Sequence, residues 1–270
     1  MIKKIPTYLF LILMLLLTGY PFLWMFISSF KTNIEFFDNP WGLPKTWVVE
    51  NYTNAWENGI QNYLLNSLIV TFVTVVGTLL TAAMISFILA RRPFKGSGLL
   101  LSLFVTGIII PFHSTLIPLF LIMQKLHLLN TRFSLYLPYI AFSLPVAVFL
   151  LYGFFKQLPK ELEEAALIDG SGIYRMFFQI FLPLSRAILA TVAILAAINA
   201  WNEFMLALVF LSDNTIQTLP IGLMSFQGAF TTDYAGLSAA LVMSALPVIL
   251  LYVLFQENVT KGLTAGAVKG

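Results

Sequence analysis

The chain has 270 residues, of which 59% are apolar and only 10% are charged, and its formal net charge is +3. Soluble domains contain about 45–50% apolar and about 25% charged residues, so this composition excludes a soluble globular protein. The absence of cysteine excludes disulfides and thiolate metal sites, and the two histidines, His113 and His127, form no ligand cluster. The composition therefore predicts an integral membrane protein with no metal and no cofactor.

Six apolar stretches are long enough to cross about 30 Å of hydrocarbon as helices. They cover residues 5–30, 64–90, 99–123, 133–155, 187–211 and 237–256. Prolines interrupt several of them, which a bundle tolerates where neighbouring helices or water satisfy the freed carbonyls. Lys3 and Lys4 before the first stretch resemble a signal peptide, but the stretch is too long and no small-residue cleavage site closes it, so an uncleaved anchor is favoured. The predicted fold class is an all-α integral membrane protein with six transmembrane helices.

The distribution of lysine and arginine predicts the orientation of these helices. With both termini inside, eleven basic residues lie on the inner side and four, Lys31, Lys45, Lys125 and Arg132, on the outer side. This asymmetry fits the positive-inside rule and an even number of spans. We therefore expect the N-terminus and the C-terminus in the cytoplasm.

Two loops are unusually long, and we call them the outer segment (residues 31–62) and the charged loop (residues 156–186). The outer segment carries Trp41, Trp47 and Trp56, which suit a position at the lipid headgroups. The charged loop carries a helix start at Pro159 with acids in its first turn, and Gly170 can end that helix. A second short helix is expected from residue 173 to 181, ended by Pro183. A long internal loop with its own helical pattern is where function is expected.

The charged loop contains a specific pattern. Glu164-Ala165-Ala166, then Gly170, then Ile180-Phe181-Leu182-Pro183 match E-A-A-x3-G-x9-I-x-L-P at every fixed position. This pattern resembles the EAA motif of ABC importer permeases. Further segments resemble the carbohydrate (maltodextrin-type) permeases of that family: Lys31-Thr32, residues 40–44, Glu50-Asn51-Tyr52, residues 200–204 and the tail from Lys261 to Gly270.

The resemblance implies a type I ABC importer permease fold in a bacterial or archaeal cytoplasmic membrane. It implies three protein partners: an ATPase dimer, a second homologous permease and an extracytoplasmic solute-binding protein, with a sugar as substrate. The expected division is residues 1–59 (first helix and outer loop), 60–256 (core with the coupling loop) and 257–270 (cytoplasmic tail). In such a protein the loop docks on the ATPase, and the implied coupling residues are Glu164, Ala165, Ala166, Asp169, Gly170, Ile180, Leu182 and Pro183.

Glu203 is the only carboxylate inside a predicted span, and Asn199 and Asn202 lie close to it in sequence. Intramembrane ions normally face the bundle interior or a wet cavity. These three residues are therefore candidates for the translocation pathway, since hydrogen-bonding groups recognise sugars. A polar contact with a partner permease or a neighbouring helix is the alternative. For Asn62 and Asn66, capping of the second helix is favoured over a place in the pathway.

Competing functions fit the residues less well. A gradient-driven carrier requires several intramembrane ionisable groups and an inverted repeat. No catalytic motif and no phosphate-binding loop is present, so no catalytic residue is assigned and ATP hydrolysis must belong to another polypeptide. No basic patch or motif points to nucleic acid. An inert surface hairpin is the alternative for the charged loop, and a flexible end that touches no partner is the alternative for the tail.

Overall fold

A computed structural model describes residues 5–228 and 232–267 of the chain. Lys3, Lys4 and Lys269, which entered the orientation argument, lie outside the described residues, as do residues 268–270 of the predicted tail. Within the described ranges the secondary structure is helical, apart from one isolated antiparallel bridge between Gln227 and Thr232. The all-α prediction is confirmed.

The α-helices are, in chain order, α1 (Ile5–Ser28), α2 (Asn33–Asp38), α3 (Glu50–Ala55), α4 (Gln61–Arg91), α5 (Ser97–Gly107), α6 (Leu116–Lys125), α7 (Phe133–Gln157), α8 (Glu161–Ile168), α9 (Ile173–Met176), α10 (Leu182–Leu184), α11 (Arg186–Asn202), α12 (Met205–Phe210), α13 (Leu219–Gly222) and α14 (Tyr234–Ala267). Two π-helical segments, Trp56–Ile60 and Phe177–Phe181, precede α4 and α10. Two 3₁₀ turns, Phe112–Thr115 and Leu223–Phe226, precede α6 and follow α13.

Four helical segments of the described chain are long and apolar enough to cross a membrane without a break. They are Pro6–Ser28, Glu50–Arg91, Phe133–Gln157 and Tyr234–Leu254. Two further pairs, Ser97–Gly107 with Phe112–Lys125 and Ile173–Leu184 with Arg186–Asn202, pass the same test but are bent by 101° and 78°. If each bent pair is one span, the number is the predicted six.

The break in the third span lies at Pro111. Proline has no N–H for the helical ladder, and it disfavours helical geometry at the residue before it. The chain accordingly leaves α5 at Ile108, and Pro111 is extended, with ψ of 120°, before the 3₁₀ turn that leads into α6. The sequence predicts a proline interruption here, and the structure shows that it redirects the chain.

The predicted fifth span, residues 187–211, is two helices rather than one. The first, α11, ends at Asn202, and Glu203 is extended with ψ of 125°. The second, α12, begins at Met205. At the C-terminal end of the chain, α14 continues to Ala267, beyond the expected start of the tail at residue 257.

The chain divides into two compact units, residues 1–64 with 219–248 and residues 65–218 with 249–270. The second unit contains a core built mainly from the inner ends of α4 and α7, the charged loop and α11. Phe87, Phe155 and Phe181 are its largest buried aromatic side chains, and Phe87 lies 5.0 Å from Phe181, centroid to centroid. Buried side chains of α4, α7 and α11 thus pack against the charged loop.

In the first unit, the outer segment is folded around a buried lysine. The Lys31 side chain is fully buried, and its Nζ donates hydrogen bonds to the carbonyls of Asn39 (2.6 Å) and Pro40 (3.2 Å). Burial lowers the pKa of the Lys31 ammonium, and the nearby Glu35 carboxylate partly opposes this shift. Trp41 and Trp47 remain exposed, as expected for aromatic side chains at the headgroups.

The loop after α12, in the second unit, is fastened by side-chain hydrogen bonds. Asn130 has a left-handed backbone (φ 57°), and its Oδ1 accepts the N–H groups of Ser212 and Asp213 at 3.1 and 2.8 Å. The Asp213 carboxylate accepts two hydrogen bonds from Thr215, first from its backbone N–H and then from its hydroxyl, and these lower the pKa of Asp213. The loop is therefore fastened both to Asn130, more than 80 positions earlier, and within itself.

Asn66 anchors the same loop to α4. Its amide Nδ2 donates to the carbonyls of Thr215 (2.8 Å) and Gln217 (3.0 Å), and its Oδ1 accepts from the Arg132 guanidinium (2.7 Å). The Asn66 side chain is buried, with 2% exposed. Capping of the second span, the favoured sequence interpretation, is therefore wrong for Asn66.

Asn66→Ala is expected to lower the free energy of unfolding by about 2–3 kcal/mol, because two carbonyls and a guanidinium lose their buried partner. Thermal unfolding of the purified protein in detergent measures this change. Asn62→Ala is the matched control, since Asn62 lies one turn earlier on α4 and is exposed. A melting temperature of Asn66→Ala equal to that of the control would contradict the assignment.

Candidate functional site

The first part of the charged loop is α8. Its first turn carries Glu161, Glu163 and Glu164, whose charges are favourable near the positive end of a helix. The N–H groups of Glu163 and Glu164 bond the carbonyl of Lys160, which begins the helix. The helix therefore begins at Glu161, two residues after the predicted start at Pro159, and the acids lie in its first turn.

Gly170 ends α8 in a Schellman motif. It has a left-handed backbone with φ of 70°, which glycine adopts without the steric penalty of a Cβ. The N–H of Gly170 bonds the carbonyl of Leu167 at 3.0 Å, and the N–H of Ser171 bonds that of Ala166 at 2.9 Å. The glycine of the sequence pattern thus sets the direction in which the chain leaves the helix.

The two alanines of the pattern face opposite ways. Ala165 is exposed together with Glu164, Asp169 and Gly170, whereas Ala166 is buried, with 3% exposed, in the core that includes Met176. The resemblance implies that both alanines are coupling residues of a loop that docks on the ATPase. In the structure only Ala165 lies on the exposed surface, and Ala166 is a packing residue that lets α8 approach the core closely.

The second part of the charged loop is a continuous helical run from Ile173 to Leu184. Met176, Phe177 and Phe181 are buried, while Arg175 and Gln179 are exposed and joined by a 2.9 Å hydrogen bond. This is the amphipathic helix that the sequence predicts.

The sequence predicts that this helical run ends at Pro183, but the run continues past that residue. The helix includes Pro183 in α10 and ends at Ser185, where it meets α11 at 78°. Pro183 is the second residue of α10, which follows directly after the π-helical segment Phe177–Phe181. Of the remaining pattern residues, Ile180 and Leu182 are half-buried and Pro183 is exposed.

A cavity of about 350 Å³ lies in the second unit, beside the bend between α5 and α6. Its polar lining consists of Tyr139, Ser143, Asn199 and Glu203, and its apolar lining includes Phe112 and Phe142 on facing elements. The size lies within the range of small-molecule sites, and a few polar groups in an apolar wall are typical of such sites.

The Glu203 carboxylate lies at the edge of this cavity and is fully engaged. Its Oε1 accepts the N–H of Leu206 at 2.7 Å, and its Oε2 accepts the N–H of Ala207 at 3.2 Å and a short hydrogen bond from the Tyr139 hydroxyl. A carboxylate is favourable at the first turn of a helix, so Glu203 satisfies the donors that the break before α12 leaves open.

The three predicted pathway residues are not all placed together. Asn199 and Glu203 line the cavity, but Asn202 does not, and its amide donates to the carbonyl of Ile198 at 2.9 Å. Tyr139 was missed by the sequence analysis, since a tyrosine in an apolar helix carries no signal of its partner. The described residues hold no cluster of histidine, cysteine, aspartate or glutamate that could bind a metal ion.

Residues 82–264 match the family described as the binding-protein-dependent transport system inner membrane component. The match covers more than half of the chain and includes the charged loop and the cavity. The chain belongs to this family. The resemblance inferred from the EAA pattern is therefore confirmed.

Two relatives and one solved structure are similar to this permease. It is 42% identical to the probable ABC transporter permease protein YurM of Bacillus subtilis (strain 168), over 100% of this chain and 90% of that protein. It is 39% identical to the diacetylchitobiose uptake system permease protein NgcG of Streptomyces coelicolor (strain ATCC BAA-471 / A3(2) / M145), over 91% and 82%. A crystal structure of a bacterial ABC transporter involved in the import of the acidic polysaccharide alginate superimposes with a TM-score of 0.83, covering 95% and 96% of the two chains at 23% identity. The last likeness shows the fold.

The protein is thus a multi-pass subunit of the cytoplasmic membrane with the type I permease fold, and it serves a binding-protein-dependent ABC importer. Membership of the family implies an ATPase and a solute-binding protein as partners. The permease is a transporter component and not an enzyme.

Proposed function

We propose that this permease forms half of a sugar pathway and couples it to ATP hydrolysis through the exposed surface of α8. The observation that carries the proposal is the sorting of the EAA pattern by exposure. Glu164, Ala165, Asp169 and Gly170 face outward, while Ala166 holds the helix against the core. We call these four exposed residues the coupling surface.

The chemistry of the coupling surface suits a groove on a cytoplasmic ATPase. Ala165 allows close approach, Glu164 offers a charge-assisted hydrogen bond to a basic residue, and Gly170 fixes the angle at which the chain turns away. The apolar residue beside them, Ile168, is 86% exposed, and its burial in a groove would add hydrophobic contact area. Closure of the ATPase dimer on ATP would then move the docked helix, and the permease would alternate between its two states.

The cavity supports a neutral sugar as the substrate. Its described lining combines hydroxyl, amide and carboxylate groups with phenylalanine and contains no lysine or arginine. An anionic substrate would require basic residues to offset the Glu203 charge. The relative from Streptomyces coelicolor is named for the uptake of diacetylchitobiose.

A second, homologous permease would complete the pathway. We propose that the two permeases form a heterodimer, with both termini of this chain in the cytoplasm and the outer segment facing the solute-binding protein. Affinity purification of the tagged chain from its native membrane, with mass spectrometry, tests these partners. Recovery of a P-loop ATPase and a second permease with its own EAA loop is expected. A homo-oligomer without an ATPase would overturn the proposal.

The coupling surface can be tested with single cysteines, because the chain contains none of its own. Ala165→Cys labelled with a photoactivatable thiol reagent is expected to cross-link to the ATPase in the assembled complex. Ala166→Cys is the matched control: it is one residue away but buried, so it should neither label nor cross-link. Cross-linking to the ATPase through position 166 but not 165 would contradict the proposed surface.

A further inference from the structure

Arg91 is the last residue of α4, and the C-terminal part of this helix packs in the same core as the charged loop. Its side chain is buried, with 5% exposed, although arginine is almost never fully buried without a partner. Among the described residues, its Nε–H has no hydrogen-bond partner. A charge held this deeply requires its remaining contacts to be strong.

The Arg91 guanidinium joins three separate elements. Its Nη1 lies 3.1 Å from the Glu163 carboxylate of α8, and its Nη2 donates a hydrogen bond to the carbonyl of Leu158, the residue that ends α7. Its central carbon lies 5.2 Å from the centre of the Phe181 ring, a cation–π distance. We call these four residues the arginine clamp.

The clamp determines which face of α8 is turned outward. Of the three acids in the first turn, Glu163 points into the protein with 15% of its side chain exposed, whereas Glu161 and Glu164 are exposed. Adjacent residues on a helix are about 100° apart, so fixing Glu163 inward turns Glu164 and Ala165 outward. Phe181 in turn packs against Phe155 of α7, with ring centres 6.0 Å apart.

The neighbouring arginine does not share this arrangement. Arg92 is only partly buried, and its recorded contact in the loop is a 4.0 Å approach of Nη2 to the sulfur of Met176. The two consecutive arginines therefore differ in role. Among the described residues, Arg91 forms an ion pair with Glu163 and Arg92 forms none.

We propose that Arg91 is a positioning residue for energy coupling: through Glu163 it ties α8 rigidly to α4, so that a displacement of the docked loop moves a membrane-spanning helix. This inference rests on the proposed coupling surface. Apolar side chains of α4 such as Phe87 also pack on the loop, but the ion pair is the charged contact that joins α4 to α8. A buried pair is screened less by solvent than an exposed one.

The test uses the complete importer in proteoliposomes and measures sugar uptake and ATP hydrolysis in parallel. Arg91→Ala and Glu163→Gln are each expected to lower the ratio of sugar transported to ATP hydrolysed by about fivefold or more, the lower range of coupling between sites. The double variant should resemble either single variant, since both remove the same contact. Arg92→Ala and Lys95→Ala, which remove neighbouring positive charges outside α8, are the matched controls and should keep the wild-type ratio.

The ratio separates positioning from simple support of the fold. A loss of stability reduces the amount of assembled importer but not the amount of sugar transported per ATP. If Arg91→Ala does not assemble, Glu163→Gln still tests the inference, because it preserves the side-chain volume. A wild-type ratio in the assembled Glu163→Gln variant, or equal losses in the two controls, would overturn the inference. A wild-type complex in which hydrolysis and uptake are unrelated would instead overturn the proposed function and this inference with it.

Discussion

Gly170→Pro is expected to reduce sugar uptake by more than about tenfold, a change that corresponds to about 1.4 kcal/mol in the coupled step. Gly170 has φ of 70°, and proline is fixed near φ of −65°, so the turn after α8 cannot form. The substitution also removes the N–H that bonds Leu167. Without this ending, the coupling surface loses its fixed direction.

Gly172→Pro is the matched control for this prediction. Gly172 has φ of −70°, which already suits proline, and the space around its Cβ position is empty. Uptake into vesicles, divided by the amount of assembled complex, measures both variants. Equal uptake by Gly170→Pro and Gly172→Pro would show that the turn after α8 has no part in coupling.

Glu203→Gln is expected to reduce uptake by about tenfold or more while the complex still assembles. Glu203 accepts three hydrogen bonds, and an amide accepts through one oxygen only, so at least one donor loses its partner. A hydrogen bond to a charged group contributes about 1.5–3 kcal/mol. The loss would disturb both the start of α12 and the wall of the cavity.

Tyr139→Phe and the double variant complete a mutant cycle that isolates the contact between the two side chains. Asn202→Ala is the control, because Asn202 is adjacent to Glu203 but does not line the cavity. Uptake kinetics and complex assembly are measured for each protein. Reduced assembly with normal uptake per complex would favour a contact with the partner permease, and no change in either would contradict both interpretations of Glu203.

The sequence predicted the charged loop well because its signals are local. Acids in a first turn, a glycine after two turns and an amphipathic run each act within a few residues, and the structure contains all three. The direction in which α8 faces is not local. Ala165 and Ala166 are adjacent residues of the same type, so the sequence does not distinguish them. The packing against Met176 and the ion pair of Glu163 decide which alanine is buried.

The cavity could be predicted only in part. An intramembrane glutamate and a nearby asparagine identified Glu203 and Asn199, because burial of such groups is costly without a purpose. Tyr139 lies 64 positions before Glu203, and no periodicity links residues so far apart. The turn at Pro111 could be predicted as an interruption, but its 101° angle depends on what the two halves pack against.

The same limit applies to Arg91. In the sequence it is one of two arginines that follow an apolar stretch, a position that the positive-inside rule explains completely. Its ion pair with Glu163 joins residues 72 positions apart and becomes visible only when α4, α7 and α8 are placed together. The positive-inside rule therefore accounts for the presence of Arg91 in the sequence but gives no sign of its ion pair.

The first helix, α1, can adapt to bilayers of different thickness. None of the apolar window of α1 is buried within this chain, and α1 is attached at its outer end, where Trp24 donates to the Pro40 carbonyl and Asn51 donates to that of Ser29. Among the described residues no side chains cover the apolar window of this helix, so its tilt depends on neighbouring subunits and on the bilayer. Mismatch between helix length and bilayer costs only fractions of a kcal/mol per Å, and α1 can absorb it by leaning.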